Sequence, residues 1–336
     1  MNITDDAFAT YKLLATEFKK RGYQVTIHKN EQRLTVVTYT SPTGQVWQTL
    51  AKNIGYPFTS REAADLFDHK DRAYSYVSEK GLSIPATYYV PEGNTVDEVV
   101  IQQMLQDYKK LIVKPEDSSL SRGLSLNLTT AASVLDGIKK AQRVKPGVII
   151  QEQVVGEEIR FVIIKGKIQA ALLRRTPRVV GDGHHTIAEL LVAENEVRQT
   201  LQFPYIHYPQ LTDKIIDSSF FTNKNVPKDG EIIEFNHATM IKNGSSVYNV
   251  LDQVHPSYIE TVERSVRDIG TKFMVSDLFF ADFTQPQQAH NYWFIEFNTS
   301  PVLKLCYGCR DGKMFDVIPL LVDLIDEHIN RDKTID

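Results

Sequence analysis

The sequence predicts an α+β fold, and three patterns carry that prediction. Between residues 87 and 152 the periodicities run strand, helix, strand, Ser/Gly loop, strand, helix, strand, which builds a small mixed unit rather than a doubly wound sheet. Residues 159–175 read as a hairpin turning at Lys165-Gly166-Lys167. Near the C-terminus Asp277 interrupts the apolar run Met274–Phe280, and the aromatic strand after it ends in Ile295-Glu296-Phe297-Asn298.

Residues 5–21 place Phe8, Tyr11, Leu14, Ala15 and Phe18 at helical spacing, with Gly22 as a C-terminal cap. Strand-like segments at Gln24–His28 and Leu34–Tyr39 complete a short α/β piece over 1–67. Thr59-Ser60-Arg61-Glu62 has capping-box spacing, so a helix starts there, runs through Lys70 and Tyr74, and stops before Gly81. Pro85 and Pro91 bracket the strand Thr87–Val90, Thr95-Val96-Asp97-Glu98 opens a further helix, and Leu111–Pro115 is a short buried strand. Leu124–Leu128 alternates with period two, a helix covers about 130–142, and Val148–Glu152 is an apolar strand. Gly181-Asp182-Gly183 is a tight turn before a helix capped by Thr186 and Glu189. Helices are also expected near 256–272 and 315–330, whereas 198–250 has no readable periodicity.

With 336 residues, 42% of them hydrophobic, the chain can bury a large core divided among subdomains. Its formal charge of -4 lacks the basic footprint of a nucleic-acid binder, so nucleic acid is not an expected partner. There is no apolar run of about 18 residues and no signal-peptide pattern after Met1, so the expectation is a cytoplasmic protein without a membrane partner. Cys306 and Cys309 form a lone Cys-x-x-Cys pair without the second pair or the histidines that zinc requires, and are read as reduced loop thiols.

The chemistry-bearing residues form three groups. Glu296 and Asn298 are two apart on a strand and share a face, and a carboxylate beside an amide oxygen is a hard ligand set suited to Mg²⁺ when phosphate supplies the rest. Asp277 is the third ligand; Asp282, the rival, points to the opposite face. Lys114 ends a strand before a loop holding Ser118, Ser119, Ser121 and Gly123, where hydroxyl and backbone donors suit phosphates and the lysine acts as a point charge. In the strand and linker from Ile149 to Arg160, the backbone around Glu152, Gln153 and Val155 suits a purine edge, with Glu158 near the ribose hydroxyls.

Together these pieces resemble, over roughly residues 65–336, ATP-grasp carboxylate-amine ligases of the branch that contains cyanophycin synthetase and bifunctional glutathione synthetase. The most specific element is the run from Arg175-Thr176-Pro177-Arg178 through Gly181-Asp182-Gly183 to Glu189-Leu190, which is similar to that branch's R-x-P-A-x-V-V-G-D-G-x-x-T-I-x-E-L run. Supporting matches are His69-Lys70 with Gly81–Pro85, Lys114-Pro115, Glu152 with Gly156 and Glu158, and Glu296–Pro301. The resemblance departs from the pattern at His69, at the serines of the phosphate loop, at Arg178, at Val275 and after Pro301.

The resemblance implies an ATP-grasp fold: a small lobe over 68–155 and a large lobe over 156–336 gripping the nucleotide, after the short N-terminal domain. It implies ATP with one or two Mg²⁺ ions, Mn²⁺ being a substitute. Lys70 and Lys114 would contact phosphates, Glu152 to Val155 would hold adenine, Glu158 would bind ribose, and Asp277, Glu296 and Asn298 would bind the metal. The implied reaction activates a carboxylate as an acyl phosphate that an amine displaces, with Arg175 and then Arg160 as the candidates for stabilising phosphoryl charge. Ser300, Lys304 and Arg310 would meet small-molecule or short-peptide substrates, and a homo-oligomer is left open. The alternative expectation is a nucleotide-binding protein without ligase turnover.

Overall fold

The computed structural model describes residues 10–51, 58–116, 122–203, 205–218, 226–237, 239–299, 301 and 303–330. The N-terminal piece is α1 (Thr10–Lys20) followed by an antiparallel sheet of β1 (Gln24–Lys29), β2 (Thr35–Thr40) and β3 (Val46–Leu50). The third strand was not expected from sequence, and residues 5–9 of the expected first helix lie outside the described residues. Phe18, Val37 and Tyr39 of this piece join one core with α8 (Ile318–Asn330) and with one face of the large-lobe sheet.

The helix expected from Thr59 past Tyr74 is two helices, α2 (Arg61–Asp68) and α3 (Lys70–Glu79), and Ser60 rather than Thr59 caps the first by accepting from the Ala63 amide at 3.1 Å. His69 is extended between them at φ -122 and ψ 104, which makes Lys70 the first residue of a new helix. In the small lobe, β4 (Thr87–Val90), β7 (Val148–Glu152), β5 (Leu111–Pro115) and β6 (Ser125–Leu128) form an antiparallel sheet in that order. The helices α4 (Glu98–Tyr108) and α5 (Ala131–Gln142) bring Ile101, Met104, Val134 and Ile138 to Val113 and Ile150. Asp97, not Thr95, caps α4.

The large lobe is a five-stranded antiparallel sheet in the order β12 (Ser246–Asn249), β9 (Lys167–Arg175), β8 (Glu157–Ile164), β13 (Phe273–Phe280) and β14 (Tyr292–Asn298). One face packs Ile159, Phe161, Leu278 and Phe280 against α7 (Pro256–Val266) and α3. The other packs Val162, Leu172, Val247 and Val275 against α1, α8 and the 3-10 turn Leu303–Tyr307. The segment unreadable in sequence supplies β12 and β11 (Ile232–Glu234); β11 pairs with β10 (Arg178–Val180) beside α6 (Ile187–Thr200) around Val179, Ile187, Leu211 and Phe235. No helix among the described residues is long and apolar enough to cross a membrane.

Candidate active site

The site begins with an irregularity in β14. Tyr292 and Phe294 lie on the sheet face covered by α7, and unbroken alternation would put Glu296 and Asn298 there too. Instead Leu278 pairs with Phe294 while its neighbour Asp277 pairs with Glu296, so Ile295 is an extra residue, a β-bulge. The bulge returns Phe297 to the apolar core and turns Glu296 and Asn298 onto the face of Asp277.

Asp277 is 2% exposed and is clamped by guanidinium groups. Arg160 Nε donates to Oδ1 at 2.8 Å and Nη2 to Oδ2 at 2.7 Å, while Arg174 Nη2 reaches Oδ2 at 3.1 Å. Arg174 also pairs closely with Glu158, so the four residues form one largely buried charge network across β13, β8 and β9. Burial alone would raise the Asp277 pKa, but the two arginines outweigh it and hold the carboxyl below its ordinary value. Burial and the neighbouring Asp277 push Glu296 above its ordinary value, with Lys70, Arg160 and Lys114 offsetting only part of that rise. Glu158 is also raised, by burial first and against the pull of Arg174.

The lysines come from the other side. Lys114, on β5, donates to Gln151 Oε1 at 3.0 Å and to Tyr74 Oη at 3.3 Å, and Lys70 donates to the Glu116 carbonyl at 3.1 Å. Both act electrostatically on Glu296, pulling its pKa down against burial and Asp277. At the strand-to-linker break, Glu152 Oε1 accepts from the Ala86 amide at 2.9 Å and Gln153 Nε2 donates to Asn127 Oδ1 at 2.9 Å. Val155 is 76% exposed. Gly156 follows at φ 155, where a Cβ would lie 2.1 Å from the Phe280 carbonyl oxygen; only glycine lets the linker cross the end of β13. Gly123 packs over Pro115 at the end of the Lys114 strand, and Ser119 lies outside the described residues.

Two expected residues are placed elsewhere. Arg175 projects to the opposite face of β9 from Arg174: its Nε pairs with Glu157 Oε2 at 3.0 Å and its guanidinium stacks on Tyr248. The arginine brought to the carboxylates beside Arg160 is therefore Arg174, which the sequence reading missed. Arg310 is not turned to the cleft but held by Glu194 at 2.6 and 3.2 Å. Lys304 is half-buried in the 3-10 turn, and Ser300 lies outside the described residues. Glu158 is engaged by Arg174, and Asp282 lies exposed two residues past β13 rather than on a strand, its Oδ1 accepting from Thr284. Cys306 and Cys309 are free thiols of the 3-10 turn and the loop after it, both fully buried, and burial pushes the Cys309 thiol up to about 12.

The donor set fits a hard divalent cation. Two carboxylates face each other across adjacent strands, with an amide oxygen on the same face, and burial together with the neighbouring Asp277 disfavours the Glu296 charge, a cost that a cation would relieve. Oδ2 of Asp277 accepts from both arginines, whereas Oδ1 carries one arginine bond and is the oxygen that keeps acceptor capacity.

Over 95% of this chain the architecture matches the crystal structure of a bifunctional glutathione synthetase from Pasteurella multocida, with a TM-score of 0.64 at 17% identity and 44% of that chain covered. The fold is ATP-grasp. This ATP-grasp chain is 26% identical over 229 residues to the glutathione biosynthesis bifunctional protein of Streptococcus agalactiae, covering 65% of this chain and 30% of the relative. It is 23% identical over 223 residues to cyanophycin synthetase of Trichormus variabilis, covering 64% of this chain and 24% of the relative. The chain thus spans about a third or less of the length of these curated relatives. No family model matches it. The matches make it similar to ATP-grasp carboxylate-amine ligases.

Proposed function

We propose that the chain is an ATP- and Mg²⁺-dependent ligase that joins a carboxylate to an amine through an acyl phosphate, on amino-acid-like or short-peptide substrates. One observation carries the reading: the bulge in β14 sets Glu296 and Asn298 on the face of Asp277, and Glu296 lies within electrostatic reach of Arg160, Lys70 and Lys114. Cations that suit a triphosphate and an acid that suits its counter-ion thus act on the same carboxylate.

In this reading a substrate carboxylate oxygen attacks the γ-phosphorus, the bond to the ADP oxygen breaks, and an acyl phosphate forms. The amine then attacks the acyl carbon, the carbon–oxygen bond breaks, phosphate leaves and the amine loses a proton. Lys70 and Lys114 hold phosphate oxygens as point charges. The backbone from Glu152 to Val155 takes the adenine edge. Arg174 and Arg160 stabilise the negative charge that spreads over the transferring phosphoryl group, and the clamp on Asp277 pre-orients both guanidinium planes. Glu296, Asn298 and Asp277 would hold Mg²⁺, whose chemistry is to screen phosphate charge.

A second reading, nucleotide binding without turnover, is favoured by one feature: both Asp277 oxygens already accept from arginines. A screen of amino acids and dipeptides with ATP and Mg²⁺ separates the two. A ligase releases ADP and phosphate in step with a joined product, whereas a binding protein shows only a rise in Tm. Release of AMP and pyrophosphate would contradict the acyl-phosphate route.

A further inference from the structure

The segment after β14 turns back along the charged face. In the 3-10 turn Leu303–Tyr307, Leu303 and Cys306 pack in one core with Val275 and Leu172, each two residues from Asp277 and Arg174 on the same strands. Cys306 also feels the charge of Arg160. Residues 303–310 therefore form a wall of the site.

That wall has little regular structure of its own, yet it is pinned from outside by contacts that the catalytic reading does not use. Arg310 extends the edge of the sheet, its amide donating to the Val247 carbonyl at 2.8 Å. Its guanidinium meets both Glu194 oxygens on α6, at 2.6 and 3.2 Å, and Ser246 Oγ at 3.0 Å. Arg198, 2% exposed, donates from Nε to the same Glu194 at 2.6 Å, so α6 presents a pre-set carboxylate. Tyr208 lies against both guanidinium groups and donates from Oη to the Gly308 carbonyl at 2.5 Å. At Gly308 a Cβ would come 2.4 Å from Ile206, so the two segments lie in direct contact. A bidentate, largely buried pair fixes geometry more than it adds stability.

We propose that Glu194, Arg310 and Tyr208 are positioning residues that pin the 303–310 wall against the charged face and so set the affinity for the non-nucleotide substrate. The inference rests on the ligase reading for its substrate, but the pinning itself is measurable without turnover. The clamp touches the wall and not the Lys70–Lys114 side, so its loss loosens the pocket for the acid or amine and leaves the nucleotide side in place. A displacement of about 1 Å is enough to be felt in binding and rate.

The chain has two cysteines, and both are buried in this wall, so thiol labelling reports on it specifically. Arg310→Lys keeps the charge without the fork, and Tyr208→Phe removes the hydrogen bond to the Gly308 carbonyl and the one from the Val247 amide at nearly constant shape. In both variants, with Tm and circular dichroism near those of the parent, a disulfide reagent such as DTNB should label the thiols at least about tenfold faster. The KM for the non-nucleotide substrate should rise about tenfold while the KM for ATP stays within about twofold. Unchanged labelling in both folded variants overturns the pinning, and faster labelling with unchanged KM overturns its role in affinity. If Arg310→Lys does not fold, Tyr208→Phe decides. A parent chain that turns over no substrate defeats the ligase reading instead, and the labelling rates still decide whether the clamp holds the wall.

Discussion

Asp277 and Glu296 face each other across β13 and β14 because Ile295 is an extra residue in β14. With Ile295 paired in regular register instead, Glu296 and Asn298 would fall on the apolar face of Tyr292 and Phe294. The pairing leaves two carboxyls competing for ionisation, with the arginines favouring Asp277 and burial disfavouring Glu296.

A stability signature follows from these opposite shifts. The folded pKa of Glu296 is raised, so its contribution is present below the ordinary glutamate value and is lost as pH rises through the folded value. The folded pKa of Asp277 is depressed, so its contribution is present above the ordinary aspartate value and is lost as pH falls through the folded value. Without divalent cation, Glu296→Gln should raise Tm at pH 8 by roughly 2–4 °C, the shift that about 1 kcal/mol gives a sizeable domain. Near pH 4 the gain should vanish. A lower Tm for the variant at pH 8 would refute the repulsion.

Arg174 and Arg175 are neighbours on opposite faces of β9, and the proposed reaction uses only Arg174. Arg174→Met should reduce turnover by about 10²–10³-fold, as loss of a charge-stabilising donor does, while Arg175→Met should cost about tenfold or less. Steady-state rates at saturating ATP distinguish them. The reverse order would show that the sheet face has been assigned wrongly.

How much of this was legible depends on where alternation is interrupted. The hairpin at Lys165–Gly166, the cap at Thr186 and the strands around Asp277 and Glu296 follow local periodicity and were visible. Counting back along β8 and β9 from the turn, without interruption, would set Arg160 opposite Ala171 and place Arg175 on its face. Gln169 is an extra residue in β9, so Arg160 pairs with Leu172 and Arg174 is the one that arrives. A bulge has no composition signal strong enough to be read from one chain. β10 to β12 were hidden because strands of three or four residues bury too little to show a period. Arg310 looked like a free cation because its partner Glu194 is 116 residues away.

The charge network should also show in unfolding. Arg160→Met leaves the buried Asp277 with Arg174 alone and should destabilise by about 3–5 kcal/mol. Adding Asp277→Leu should recover most of that loss in urea titrations. Additive effects of the two changes would mean that the pair is not coupled.

Gly156 tests the linker. Gly156→Ala forces a Cβ onto the Phe280 carbonyl at a backbone conformation that alanine avoids. The expected cost is about 2 kcal/mol or more by denaturant midpoint, together with weaker ATP binding in a titration, since the segment proposed to hold adenine is displaced. Unchanged affinity would separate the linker from the nucleotide.

The most direct measurement is product analysis of the parent and Glu296→Gln chains with ATP, Mg²⁺ and the amino-acid and dipeptide panel. The account predicts ADP, phosphate and a joined product in equal amounts from the parent, a requirement for Mg²⁺, and a loss of at least about 10²-fold in a variant that keeps its fold. Parent-like turnover by Glu296→Gln, or AMP and pyrophosphate from either chain, would contradict it.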